Sequence, residues 1–289
     1  MDDKVRMLVN IPCRVDYELK PTIEDLLAQA DKPDLIDIFV YNQDPEDNQW
    51  KQSDFPSNVT LVNIEYTKTT NLSQGRGMVG NYIHPQHKYY LSIDAHMRFD
   101  KGWDSIMKNG LDAYKAKCII SAFPPGYDLT NGLHDNKDKF IVGQVHPESS
   151  HIVTSKFNTY SQPYPLSVIA GGYHFTHIEW LWEVGYDPYT DWGYHEIDLL
   201  LRSYTHGWDV VNIPHTPIYH NYTHENRKLE DHHEYNYGID PHKRMKSKLQ
   251  RKNLTYMEHK YALGDVRTLE DFNIDYGCNI FDKLVGNSK

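Results

Sequence analysis

The sequence predicts an α/β fold in which helices flank a mainly parallel central sheet and a helical extension follows at the carboxyl end. Short apolar runs alternate with helical patterns over the first half of the chain, which is typical of parallel strands joined by helices. Hydrophobic residues make up 39% of the 289 residues, enough for a large core. No internal repeat or low-complexity linker is visible, so we expect one unit, with a main domain over residues 1–225 and an extension over 226–289 packed on it.

The first half of the chain carries the strongest alternation. A helix is expected from Pro21 to Ala30, because proline is favoured in the first turn and Ile23 and Leu26 follow at helical spacing. A second helix is expected over residues 72–83, although its three glycines lower helix propensity. The other elements expected here are strands at residues 5–11, 37–41, 59–66, 89–93 and 118–123, and a helix at 103–114.

The second half is less regular, since residues 124–162 are rich in turn-forming residues. One strand is expected at 166–170, ending in Gly171-Gly172. The other elements expected here are strands at 140–145, 152–157, 210–213 and 217–220, and helices at 177–183 and 195–204.

Composition excludes several classes of protein. The formal net charge of -10 disfavours a broad nucleic-acid surface. The basic run at 242–252 is an exception, and a solvated helix face is its more common explanation. No segment approaches the roughly 18 to 20 apolar residues of a membrane helix, and the first residues lack a signal-peptide pattern. Three widely separated cysteines, Cys13, Cys118 and Cys278, predict reduced thiols and a cytoplasmic protein.

Asp94-Ala95-His96 is the most informative motif. It directly follows the apolar run at 89–93, so both metal-capable side chains are expected at the carboxyl edge of the sheet, where ligands of open α/β sheets bind. A divalent cation there would hold a diphosphate, as in a nucleotide-sugar transferase. A capping aspartate followed by a surface histidine is the structural alternative for three such residues.

A third ligand has to come from elsewhere in the chain. His220, at the end of the short strand expected at 217–220, is the candidate. Mn²⁺ accepts imidazole as well as carboxylate, so two histidines and one aspartate suit it. The chain has 17 histidines, and a surface role for His220 is the alternative.

Other polar residues have both a structural and a functional explanation. Gly171-Gly172 permits close approach of the backbone to a ligand, or simply a tight turn. Glu196 opens a helix, where a carboxylate counters the helix dipole or binds sugar hydroxyls. Arg76 lies between two glycines, where it could bind a phosphate bidentately or remain solvated.

The order of these motifs (strand-Asp-x-His, Ala-Gly-Gly, Trp-Gly-x-x-Glu, then a late His) resembles the metal-dependent GT-A glycosyltransferases of the polypeptide GalNAc-transferase type. The closer likeness is to the cytoplasmic polypeptide GlcNAc-transferases, whose known members modify hydroxyproline of a ubiquitin-ligase adaptor in protists. The likeness extends from about residue 5 to 275 and rests on the stretches 11–16, 21–26, 89–99, 170–172, 183–188, 201–209, 218–220 and 263–270.

This resemblance implies a Rossmann-like GT-A catalytic domain, a UDP-sugar donor, Mn²⁺ or a similar ion, and retention of anomeric configuration by front-face attack. By position it implies that Asp94, His96 and His220 bind the metal. The residues expected to bind the nucleotide sugar are Pro12, Cys13, Arg14, Arg76, Asp94, Gly171, Gly172 and Trp192. The residues expected where catalysis occurs are Asp191, His195 and Glu196.

The sequence departs from the family pattern in two places. Tyr194 and His195 stand where the family has Gly and Glu, and Gly75 replaces the Ala before the arginine. A tyrosine shrinks a pocket, and a histidine can donate where a carboxylate only accepts. A sugar whose polar groups stay unpaired in such a pocket is strongly disfavoured as a donor. We therefore expect a donor other than UDP-GlcNAc to be preferred.

Several functions stay open at this point. The acceptor could be a protein hydroxyl, including hydroxyproline, serine or threonine, or instead modified DNA or a glycan. DNA is not favoured because of the net charge. A sugar-binding module without activity, and a hydrolase using His232-His233, are the alternatives from other classes.

Overall fold

The computed structural model describes residues 5–65, 68, 72–114, 117–130, 132–133, 139–145, 152–158, 164–165, 167–188, 190, 195–223 and 261–280. Its strands are β1 (Arg6–Cys13), β2 (Ile36–Asn42), β3 (Val59–Asn63), β4 (His87–Ile93), β5 (Met97–Phe99), β6 (Cys118–Ser121), β7 (Gly126–Asp128), β8 (Gly132–Leu133), β9 (Lys139–Val145), β10 (Ile152–Asn158), β11 (Tyr164–Pro165), β12 (Tyr173–His177), β13 (Asp209–Asn212) and β14 (Ile218–Asn221). Its α-helices are α1 (Leu19–Gln29), α2 (Leu72–Met78), α3 (Trp103–Asp112), α4 (Glu179–Glu183), α5 (His195–Thr205) and α6 (Leu269–Tyr276). Short 3-10 helices cover Pro33–Leu35, Glu46–Asn48, Gln52–Asp54 and Val79–Tyr82.

A central sheet of eight strands confirms the predicted α/β class. Its order is β11-β13-β6-β12-β4-β1-β2-β3. The four strands β4, β1, β2 and β3 are parallel, and so are β6 and β13. Two strands, β12 and β11, are antiparallel to their neighbours.

Both faces of this sheet are covered. Along β1, Val9 belongs to the core that also contains Trp103 of α3, whereas Leu8 belongs to the core that also contains Trp180 of α4. Successive side chains of a strand point to opposite faces. The nearly continuous apolar run of β1 is therefore what a strand buried on both sides requires.

The antiparallel strand β12 places a loop at the ligand-binding edge. Its first residue, Tyr173, pairs with Ile93, the last residue of β4. The residues that precede β12 therefore lie at the edge where β4 ends. Gly171 and Gly172 reach the carboxyl edge of the sheet in this way.

The prediction of a strand at 166–170 is wrong. Residues 167–169 have no regular structure, and Ala170 forms only an isolated bridge with Tyr173. Val168 and Ile169 are fully buried, so a buried loop carries the apolar pattern of a strand. The true strand follows the glycine pair, and the helix predicted from residue 177 begins at Glu179.

A second, four-stranded sheet adjoins the edge where β4 ends. Its order is β5-β14-β7-β8. Strand β14 pairs antiparallel with β5, with His220 opposite Met97. The N–H of Asn221 also donates to the carbonyl of His96 at 3.1 Å. The ring of His220 is thus carried to the motif that ends β4.

The helix α6 packs on α5 near the carboxyl end of the described chain. Thr268 caps it by accepting from the N–H of Asp271 at 3.1 Å, and Gly277 ends it with a φ of 62°. Phe272 is fully buried and lies edge-on to Tyr204 of α5, with ring centroids 5.2 Å apart.

Two sequence-based expectations concern the whole described chain. Cys13, Cys118 and Cys278 are all buried, and none of the three forms a disulfide. Among the residues described, none of the helices is long and apolar enough to span a bilayer.

Candidate metal centre

Asp94 directly follows β4, and its two carboxylate oxygens have different partners. Oδ1 accepts from Nη2 of Arg76 at 2.9 Å, and Oδ2 lies 3.3 Å from Nε2 of His220. Burial by itself would raise the pKa of Asp94, but the hydrogen bond with His220 and the charge of Arg76 hold that pKa well below its ordinary range. Asp94 is therefore a carboxylate at every physiological pH.

His96 lies between two partners. Its Nδ1 is 2.8 Å from Oδ2 of Asp16, and its Nε2 is 2.9 Å from Nε2 of His220. The two imidazole rings meet edge to face, with centroids 4.5 Å apart. Nε2 of His220 is thus directed at both Asp94 and His96.

The structure brings the three predicted metal ligands together. Asp94, His96 and His220 each offer one ligand atom, and these atoms lie within 4.8 Å of one another. Adjacent ligands about 2.1 Å from a cation in octahedral geometry are roughly 3.0 Å apart, close to the 2.9 and 3.3 Å separations found here. One carboxylate and two imidazoles form a donor set that Mn²⁺ accepts.

Arg76 lies on α2 and is buried beside the cluster. The sequence leaves a phosphate contact or a solvated role open for it, but its side chain is 4% exposed and its guanidinium pairs with Asp94. Its Nε has no hydrogen-bond partner among the described residues. Its backbone carbonyl accepts from Nδ2 of Asn10 at 3.0 Å, which ties α2 to β1.

Gly171 and Gly172 lie between the cluster of Asp94, His96 and His220 and the start of α5. A Cβ on Gly171 would overlap Nε2 of His195 and approach Oε1 of Glu196 at 3.2 Å. A Cβ on Gly172 would lie 2.5 Å from Oδ2 of Asp94. Steric crowding thus explains why both positions are glycine. The two glycines lie between Asp94 on one side and the pair His195 and Glu196 on the other.

Burial shifts the pKa values of His195 and Glu196, the first two residues of α5. Burial lowers the pKa of His195 to about 3, and the charge of Arg76 acts in the same direction, so the ring is neutral. Its Nδ1 has no hydrogen-bond partner within the described parts of the chain. Glu196 accepts the N–H of Gly171 at 2.7 Å, and burial raises its pKa.

The end of β1 contributes the predicted nucleotide-binding residues. Pro12 and Cys13 are buried, and Arg14 is half-buried at the same edge. Close packing explains why Gly75 stands where the family has alanine, because a Cβ there would lie 2.8 Å from the ring of Tyr41 and 3.4 Å from Pro12. This glycine lets α2 approach the sheet closely.

Asp16 is the residue of this site to which sequence reasoning assigned no role. It is buried and bonded to His96, and it follows the carboxyl end of β1. A carboxylate just beyond a parallel strand is a signal that could have identified it. Three predicted residues, Asp191, Trp192 and Tyr194, lie outside the described part of the chain, as does the basic run at 242–252.

A family model described as Glycosyltransferase (GlcNAc) matches residues 20–277. No curated protein sequence matches the chain.

Among solved structures, S. aureus TarS aligns with a TM-score of 0.50 and 9% sequence identity, over 88% of this chain and 41% of the TarS chain. The chain thus spans less than half the length of TarS, and the likeness is one of fold. TarS 1-349 aligns with a TM-score of 0.49 and 9% identity, over 75% of this chain and 60% of that one. TarS 1-349 in complex with UDP-GlcNAc aligns with a TM-score of 0.35 and 12% identity, over 47% of this chain and 39% of that one.

Proposed function

Because the chain belongs to the glycosyltransferase (GlcNAc) family, we propose that it transfers a sugar from a UDP-sugar to a hydroxyl acceptor with the help of a divalent cation. The observation that carries the proposal is the convergence of Asp94, His96 and His220 at the carboxyl edge of the central sheet. Ligands of open α/β sheets bind at this edge.

The three residues of this cluster would hold the cation. When bound, a divalent ion neutralises the charge that develops on the departing diphosphate. Arg76 holds one oxygen of Asp94 and leaves the other facing His220. Pro12, Cys13 and Arg14, at the end of the neighbouring strand, would line the nucleotide pocket.

The donor sugar would lie beyond the metal cluster, against Gly171 and Gly172. The absence of a side chain at both positions lets His195 and Asp94 approach the backbone beside the sugar. Neutral His195 can donate one hydrogen bond and accept another, while Glu196 is already bound to the N–H of Gly171. These two residues would orient the sugar hydroxyls.

We further propose that the transfer retains anomeric configuration by front-face attack. The acceptor oxygen would form the new bond to the anomeric carbon while the bond from that carbon to the phosphate oxygen breaks. The departing phosphate oxygen would take the acceptor proton. The hydrogen bond that Glu196 accepts from the N–H of Gly171 occupies this carboxylate and argues against it as a nucleophile.

The likeness of the sequence to hydroxyproline GlcNAc-transferases favours a protein hydroxyl as acceptor and the cytoplasm as location. Both belong to the proposal, as does Mn²⁺ as the metal. The extension over residues 226–289 would complete the same catalytic unit.

Donor hydrolysis tests the proposal without an acceptor. The protein is incubated with Mn²⁺ and each of several UDP-sugars, and released UDP is measured before and after chelation with EDTA. We expect slow hydrolysis of at least one donor, lost on chelation and restored by Mn²⁺. Failure to hydrolyse any donor, together with no binding of UDP in Mn²⁺, would contradict the function.

A further inference from the structure

His96 is fixed on the side of its ring that faces away from the metal cluster. Its Nδ1 lies 2.8 Å from Oδ2 of Asp16, and both side chains are about 95% buried. A carboxylate only accepts hydrogen bonds, so Nδ1 has to carry the proton. The other nitrogen, Nε2, then has a lone pair directed at Nε2 of His220, which in turn lies 3.3 Å from Oδ2 of Asp94.

We propose that Asp16 is a positioning residue that fixes the tautomer and the ring orientation of His96 for metal binding. The inference rests on the proposed function, since it takes the Asp94, His96 and His220 cluster to be a cation site. A carboxylate behind a metal-binding histidine orients the ring and makes its free nitrogen a stronger ligand.

The backbone before Asp16 is held in an unfavourable conformation. Val15 has a φ of 48°, which is rare and unfavourable for a β-branched residue. The N–H of Val15 donates to Oδ1 of the buried Asp44 at 2.5 Å, which stabilises this conformation. The surrounding structure therefore enforces a turn that places Asp16 three residues after the end of β1.

The carboxylate itself is oriented by a second contact. Oδ1 of Asp16 accepts the N–H of Glu18 at 3.0 Å, which leaves Oδ2 for His96. Glu18 in turn forms an ion pair with Arg98 at 2.6 Å. The two oxygens of Asp16 thus have separate partners, and the one facing His96 has little freedom to turn away.

A merely structural Asp–His pair would affect stability alone, whereas a positioning carboxylate affects metal affinity in the folded protein. Asp104 is the matched control, because it is also buried and its carboxylate accepts two backbone N–H groups, at 2.7 and 3.0 Å, away from the cluster. The variants are Asp16→Asn, Asp16→Ala and Asp104→Asn in the full chain.

Calorimetry with Mn²⁺, with and without UDP, measures the affinity. We expect Asp16→Ala to bind Mn²⁺ about 10- to 100-fold more weakly than the wild type. Asp16→Asn should be intermediate, since its amide oxygen still accepts from Nδ1 but carries no charge. Asp104→Asn should keep the wild-type affinity.

Nitrogen-15 NMR of the metal-free protein reports the tautomer directly, with His96→Gln used to assign the signal. The wild type should show His96 protonated at Nδ1, and this state should be lost in Asp16→Ala. A wild-type ring protonated at Nε2, or Asp16 variants that bind Mn²⁺ as tightly as the wild type, would overturn the inference and leave the metal site intact. A wild type that binds no Mn²⁺ would instead refute the proposed function and the inference with it. If Asp16→Ala does not fold, Asp16→Asn and the wild-type spectrum decide.

Discussion

Replacing Asp94 with alanine should separate the stability of the site from its function. The change leaves Arg76, whose side chain is 4% exposed, without its carboxylate partner. Breaking a buried ion pair costs about 3 to 5 kcal/mol. The side chain of Asp94 is 22% exposed, so water can reach the vacated position and we expect a loss of about 3 kcal/mol in the free energy of unfolding.

The double variant Asp94→Ala with Arg76→Met removes the uncompensated charge. Its loss of stability should be smaller than the sum of the two single losses, with a coupling energy of about 2 kcal/mol. Binding of UDP in Mn²⁺ should be lost wherever position 94 is alanine, including in the double variant. Asp100→Ala is the control, because Asp100 contacts Tyr219 and His215 outside the cluster and its loss should leave UDP affinity unchanged.

Urea unfolding of the metal-free protein and calorimetry with UDP and Mn²⁺ are the two measurements. The pKa of Asp94 is depressed in the folded state, so its stabilising contribution is complete above about pH 4 and is lost as the pH falls further. The stability difference between wild type and Asp94→Ala should shrink accordingly below pH 4. Wild-type UDP affinity in Asp94→Ala, or additive losses in the double variant, would refute the reasoning.

Three further predictions concern the neighbouring residues. Gly172→Ala, whose Cβ would lie 2.5 Å from Oδ2 of Asp94, a proposed metal ligand, should weaken Mn²⁺ binding. Gly171→Ala should instead mainly lower kcat/KM for donor hydrolysis by displacing His195. Gly80→Ala, with nothing within 4 Å of the added Cβ, is the control, and equal effects at all three positions would count against this division. His174 is buried, and burial lowers its pKa to about 3, so the folded protein loses stability as the pH falls below about 6.5. His174→Gln should reduce the slope of the unfolding free energy against pH by about 1.4 kcal/mol per pH unit between pH 6 and 4, and an unchanged slope would contradict this. His195→Glu should shift donor preference toward UDP-GlcNAc, and a wild type that already hydrolyses UDP-GlcNAc faster than UDP-glucose, UDP-galactose and UDP-pentoses would show the inference from this position to be wrong.

The local spacing of apolar residues was sufficient to predict most of the helices and strands. The apolar run before Asp94 forms β4, and helical spacing placed α1 within two residues of its observed bounds. These elements depend on alternation along one segment, which a sequence displays directly. The apolar pattern gave a wrong strand at Val168 and Ile169, which are buried in a loop, because a buried loop is as apolar as a strand.

The sequence alone therefore determined the α/β class, the motif Asp94-Ala95-His96 at the end of a strand, and the candidacy of His220. Only the tertiary structure decided which groups meet. The pairing of β14 with β5 brings His220 to His96, and the reversal of β12 carries the glycine pair to the same edge. The turn after β1 places Asp16 behind His96. Contacts between residues about 80 and 124 positions apart depend on strand order and direction, which no local period encodes.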